Sequence, residues 1–159
     1  MRVQAWGRPR SATLLERTLC YLLDAIFTFL GWVLLCAVLS GGDVDALTQD
    51  PVLTLVAGML FVTVPFTYFT LLEGLTGTTP GKRSLGLAVV TLDGRPPGLY
   101  RATVRNVLRL AWALGPMGPL FLATDVGLMR LDEEDQRLGD LAAGTRVVHM
   151  ARGWLPLGT

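Results

Sequence analysis

Charge and the residues of catalysis are scarce in this sequence: Asp, Glu, Lys and Arg make up 17% of its 159 residues, with one histidine and two cysteines. Beside a hydrophobic content of 51%, so little charge is unlike a soluble domain and points to lipid. A net charge of +1 lacks the basic excess that a nucleic-acid-binding face requires. His149 has no neighbouring Cys or His to complete a metal site. Cys20 and Cys36 lie in one apolar run and would stand roughly 24 Å apart on a helix, out of disulfide reach. No Ser/His/Asp set, Cys/His pair or metal-spaced cluster occurs, so no enzyme activity and no cofactor are expected.

What is present is long apolar sequence. Leu19 to Leu39 is apolar except for Asp24, and Val52 to Leu72 carries no charge; as a helix, each run spans about 31 Å, enough to cross a bilayer. The first run is too long for a signal peptide and is interrupted by an aspartate, so it reads as a retained anchor. Arg2, Arg8, Arg10 and Arg17 precede it, the connection from Gly41 to Pro51 has three aspartates and no basic residue, and Lys82, Arg83, Arg95, Arg101, Arg105 and Arg109 follow the second run. Basic residues stay on the cytoplasmic side, so the two spans are expected to form a hairpin with the N-terminus and residues 76–109 in the cytoplasm.

A third apolar stretch, Leu110 to Met129, is interrupted by Gly115, Pro116, Gly118 and Pro119 and contains Asp125. Such a break ends one helix and starts another, and irregular backbone at membrane depth needs protein or water beside it. A re-entrant or interfacial helical hairpin is expected here rather than a full third crossing. Leu85 to Leu92 and Thr145 to Met150 read as strands. The Arg95-Pro96-Pro97-Gly98 run blocks an immediate return strand, so each is the other's natural partner in a cytoplasmic two-stranded ribbon, and the C-terminus is also placed in the cytoplasm. The fold class is thus an α-helical membrane protein of one domain, with a core over about 11–150 and loose tails at 1–10 and 151–159.

Polar residues mark the helix faces. Arg17, Tyr21, Asp24, Thr28 and Gly31 follow helical spacing along one face of the first span. Thr63, Thr67, Thr70, Gly74 and Gly77 form a line of small or hydroxylated residues on the second, suited to helix packing and expected to face the first. A carboxylate inside lipid needs a partner or a proton. Arg17 is the nearest cation on Asp24's face, two turns and roughly 10 Å of rise away, and Asp125 is a further carboxylate of the same kind. Both an ion or proton site and an ion-pair network that fixes packing are open readings of Asp24. The loop G-T-T-P-G-K-R from Gly77 to Arg83 is one residue short of a Walker A phosphate-binding loop, and Arg83 stands where that loop has Ser or Thr. No nucleotide is expected, and Lys82 and Arg83 read as a turn at the level of anionic lipid headgroups. Asp140 reads as a helix cap or loop residue.

Together, Arg17 and Asp24, the block G-T-T-P-G-K-R-S-L-G-L-A-V-V-T-L-D-G, the helix around Arg105 and the closing D-L-A-A-G-T-R-V-V resemble the RDD family of bacterial membrane proteins. That family is named for one arginine and two aspartates. The resemblance assigns these to Arg17, Asp24 and Asp140, which makes Asp140 a member of the candidate network. It also implies the bacterial inner membrane. Transport of unidentified ligands is suggested for the family, and sodium/proton antiport is attributed to some members. The expected function is therefore transport or gating of a small ion or solute through an intramembrane Arg/Asp network. Two spans enclose no conduit, so a homo-oligomer or a larger complex is expected. The alternative is a non-catalytic accessory or scaffold subunit that binds a partner protein or anionic lipid.

Overall fold

The computed structural model describes residues 10–110, 118–131 and 135–150. Two 26-residue helices dominate it. Helix α1 (Leu14–Leu39) starts at a reciprocal cap: the Thr13 hydroxyl accepts the Glu16 N–H, and the Glu16 carboxylate accepts the Thr13 N–H at 2.8 Å. A one-turn helix α2 (Ala46–Gln49) leads to α3 (Pro51–Thr76), whose first turn has Pro51 and is capped by the Asp50 carboxylate. Gly77, at φ 68°, ends it. Both helices are long and apolar enough to cross a membrane. Leu22, Ile26, Leu30 and Leu34 form an exposed apolar stripe on α1, and Val52, Leu55, Met59 and Val62 are exposed on α3.

The remaining elements gather at one end of this pair. They are α4 (Pro80–Ser84), β1 (Leu87–Thr91), α5 (Gly98–Leu110), α6 (Gly118–Leu131), α7 (Leu138–Ala143) and β2 (Thr145–His149). The two expected strands pair antiparallel, from Leu87 opposite His149 to Thr91 opposite Thr145. The chain entering α1 joins them, with the Ala12 N–H donating to the Val147 carbonyl. Every β1 residue is buried, and Ala12, Cys20, Leu87, Val89 and Val147 form the apolar core beneath the foot of α1. Helix α6 starts at Gly118, within the expected Gly/Pro break. Residues 111–117, where the turn of the expected re-entrant hairpin falls, and the tails at 1–9 and 151–159 lie outside the described residues.

Contacts between α1 and α3 run in opposite order along the two helices. The Trp32 indole donates to the Ala57 carbonyl at 2.8 Å, Trp32 meets Phe61 edge-on, and the Tyr68 hydroxyl reaches Asp24. The α3 face that meets α1 is therefore Ala57, Phe61, Val64 and Tyr68 rather than the Thr/Gly line. Thr63 and Thr67 are exposed, with the Thr63 hydroxyl turned back onto its own helix at Met59. Thr70 and Gly74 are buried, but against α5, where a Cβ on Gly74 would lie 2.9 Å from the Leu99 Cα. A line of small residues identifies a packing face without naming its partner.

Gly81 in α4 is closer still. A Cβ there would collide with the Cys20 carbonyl oxygen and lie 2.8 Å from the Asp24 carboxyl carbon. Gly81→Ala is expected to destabilise the protein by about 1–3 kcal/mol through overpacking, whereas Gly58→Ala, with nothing within 4 Å of its added Cβ, should be neutral or better. Thermal unfolding of both variants in the same detergent checks this; equal melting temperatures would contradict the close approach of α4 to α1.

Candidate functional site

The buried polar residues of α1, Arg17, Cys20, Asp24 and Thr28, follow helical spacing, yet Arg17 and Asp24 serve different sites. Asp24 is wholly buried and accepts three hydrogen bonds: from the Tyr68 hydroxyl at 2.8 Å, the Thr79 hydroxyl at 2.5 Å and the Gly81 backbone N–H at 2.8 Å. Thr79 is also the N-cap of α4, accepting the Lys82 N–H. Asp24 thus binds the first turn of α4 to α1, with two hydroxyls and an amide as its partners in place of the expected guanidinium. Two helical turns separate it from Arg17, whose side chain points the other way along the helix, to the Ala12 carbonyl and to Asp140.

Arg17 begins a chain of alternating charge. Its Nη1 pairs with Asp140 Oδ2 at 2.7 Å; Asp140 Oδ1 pairs with Arg105 Nη1 at 2.5 Å; Arg105 Nε pairs with Glu73 Oε2 at 3.1 Å. The opposite oxygen of Glu73 takes Lys82 Nζ at 2.5 Å and Arg109 Nη2 at 3.4 Å. Helices α1, α7, α5, α3 and α4 are linked in that order. Asp140 sits in the first turn of α7, where it also accepts the Arg137 N–H at 3.3 Å. Lys82, expected at the headgroups, is instead 6% exposed, because α4 turns it back onto Glu73. Its neighbour Arg83 is exposed.

Glu73 and Asn106 were not singled out from sequence, and Arg105 and Arg109 were read as basic residues after the second span, Arg105 also as part of the family pattern, but not as members of the network. Glu73 is the one acidic residue between Asp50 and Asp93, lying just past the 21-residue span, and α3 continues through it to Thr76. Ala102, Arg105, Asn106 and Arg109 have helical spacing on α5, so a buried polar face was readable there. The remaining sequence candidates lie around the chain. Asp125 is buried and accepts the Leu138 N–H at 3.0 Å. Tyr21 is half-exposed and stacks on Phe69 with ring centroids 6.0 Å apart. The Thr28 hydroxyl donates to the Ala25 carbonyl. His149 lies 3.3 Å from Glu16.

Burial and pairing set the protonation of the groups outside the two long helices. Burial works to raise the Asp140 carboxyl, but Arg105 and Arg17 outweigh it and hold the group below its ordinary value. Burial likewise opposes charge on Arg105, and Asp140 and Glu73 outweigh it, raising that guanidinium. For Lys82 burial prevails over Glu73 and the ammonium is pushed down. Burial and the nearby Arg17 push Arg137 down to about 10.

Beside the chain of charges opens a cavity of about 610 Å³, lined by Arg17, Lys82, Arg105, Arg109 and Arg137 against Asp125 and Asp140, with Leu14, Leu108, Val126 and Leu138 as apolar wall. Among the described residues, the five cations of the wall face two carboxylates in it, Asp125 and Asp140, with Glu73 behind the wall and Asp135 acting on Arg17 from nearby. Arg17 Nη2, Arg109 Nη1 and Arg137 Nε are buried without a hydrogen-bond partner.

Two long apolar helices with outward-facing aliphatic stripes, tied at one end by buried ion pairs, have the character of a membrane protein. The RDD family profile matches residues 11–144, and the chain belongs to that membrane family. No curated protein and no solved structure matches it.

The ion-pair geometry predicts which residues act together. Arg17→Gln and Asp140→Asn should each cost about 3–5 kcal/mol, as expected when one partner of a buried pair is removed. The double variant should lose less than the sum by roughly 0.5–3 kcal/mol, while Arg17→Gln with Asp24→Asn should be additive. Denaturation of the five variants, three single and two double, measures both cycles. Because the Asp140 carboxyl is depressed in the folded state, its contribution is present above about pH 4 and is lost as pH falls through the folded value. Asp140→Asn should remove that part of the acid limb of a stability profile.

Proposed function

We propose that the protein crosses the bacterial cytoplasmic membrane twice, as a hairpin with both termini in the cytoplasm, and binds an anionic ion or solute as the recognition step of transport or gating. The observation that carries this reading is a cavity wall with five cations and two carboxylates among the described residues, with buried guanidinium nitrogens lacking a hydrogen-bond partner. The basic residues before α1 and after α3, opposed to the three aspartates of the connection, support the orientation. A cation path through Asp24 is less well supported, because Asp24 is inaccessible and its oxygens already take three donors. Two spans enclose no conduit, so passage across the bilayer requires an oligomer or a larger complex.

A second reading, a non-catalytic accessory subunit, has one specific support: the Asp24 site and the ion-pair chain both join elements to one another, as a scaffold requires. Proteoliposomes separate the readings. With folded protein matched between variants, chloride or phosphate flux should fall about tenfold in Arg137→Gln, the scale of one lost charge-assisted hydrogen bond, and should persist in Asp24→Asn. Sodium or proton flux abolished in Asp24→Asn would reject the anion reading. The accessory role is favoured if the wild type is folded but neither carries nor binds an anion.

A further inference from the structure

We infer that the ligand is an amphiphilic anion: a carboxylate or phosphate head in the cationic cavity, with an alkyl chain laid in the groove between α1 and α3. This rests on the anion-binding reading and goes beyond it by naming the ligand's other half. A second cavity of about 270 Å³ lies between the two long helices and the end of α5, walled by Ala25, Trp32, Phe61, Pro65 and Phe66 and, from α5, by Asn106, Arg109 and Leu110. Tyr21, Phe69 and Arg109 line both cavities. They are stacked as a partition: Tyr21 lies on Phe69, and the Arg109 guanidinium carbon sits 4.2 Å from the Phe69 ring centroid.

Neither half of this site makes sense alone. A small hydrophilic anion would satisfy the guanidinium groups, yet it would leave the aromatic groove and the leucine wall of the first cavity unused. A neutral hydrocarbon would fill the apolar space and leave buried cationic donors dry, at a desolvation cost. Arg17, 5% exposed, keeps Nη2 unpartnered at the cationic cavity, and Arg109 reaches the partition between charge and oil. A head with a chain fits both sides. Tyr21 is 48% exposed, so an outward turn of its ring, fast for a surface side chain, would join the two cavities. Trp32, flanked by Phe29 and Phe61, closes the far end of the groove.

Binding to the purified full-length protein in a neutral detergent tests this by titration with hexanoate, decanoate, tetradecanoate and tetradecanol. Each added methylene should tighten binding up to fourfold, the equivalent of about 0.8 kcal/mol, so tetradecanoate should exceed hexanoate by well over tenfold. It should also exceed tetradecanol by about tenfold, an advantage that Arg137→Gln reduces. Tetradecanoate brominated near its methyl end should quench tryptophan emission, and Trp32→Phe should remove that quenching. Equal affinity for hexanoate and tetradecanoate, equal affinity for the alcohol, or quenching that survives in Trp32→Phe overturns the inference. In the first case acetate and phosphate still bind and the anion reading stands; if no anion binds, that reading falls with it. Nanodiscs identify the source of the ligand: phosphatidylglycerol that excludes tetradecanoate, where phosphatidylcholine does not, makes it a bilayer lipid, and a lack of exclusion makes it a free long-chain acid.

Discussion

Arg105 is the point on which the arrangement depends. Its guanidinium holds Asp140 through Nη1 and Glu73 through Nε, two carboxylates from elements far apart in sequence. A planar fork with separated donors can do this, whereas a lysine's single ammonium cannot meet both from one position. All three groups are buried, and taking any one out of water would be costly without the other two. The end of α3, the middle of α5 and the start of α7 are therefore fixed relative to one another, and Arg17 extends the constraint to α1. The apolar core at this end is small. Polar complementarity, more than oily bulk, determines where the short helices sit.

Asp24 has a separate job that follows from the same economy of space. Gly81 lets α4 approach α1 so closely that backbone meets backbone, and the amide exposed in the first turn of α4 then needs an acceptor. Asp24 supplies it, while Thr79 gives its hydroxyl proton to Asp24 and caps α4 with the same oxygen. Placing α4 there turns Lys82 inward onto Glu73. The two aspartates and the arginine singled out by the family resemblance thus act at two neighbouring junctions: Arg17 with Asp140, and Asp24 with the loop that follows α3.

The sequence displayed local features well and tertiary partners poorly, for a physical reason. Span length, capping residues and the period of buried positions on α1 depend on residues within a few turns of one another. The pairing of β1 with β2 was legible because Pro96 and Pro97 remove the alternative. Asp24 was matched to Arg17 because helix geometry ranks neighbours on the same helix, but its actual donors arrive 44 to 57 residues later in the chain. Lys82 and Arg83 are adjacent and chemically alike, and only packing separates them, one buried against Glu73 and one exposed. Glu73 gives no local signal of its role, because the apolar run ends at Leu72 whereas its helix continues to Thr76.

One imbalance in the ionic cluster links fold to ligand. Among the described residues that line the cavity, cations outnumber carboxylates five to two; beside the effect of burial, Arg17 bears on Arg137 and Arg109 on Lys82. An anion bound there, as proposed, would ease the mutual repulsion of these cations in the folded state and would have no counterpart site in the unfolded chain. Binding and stability are then linked, and saturation a hundredfold above the dissociation constant corresponds to about 2.7 kcal/mol. A further carboxylate in the wall would improve its charge balance. It would also occupy the donors that the proposed anion would need, so the proposal and the shortage of negative charge in the wall belong together.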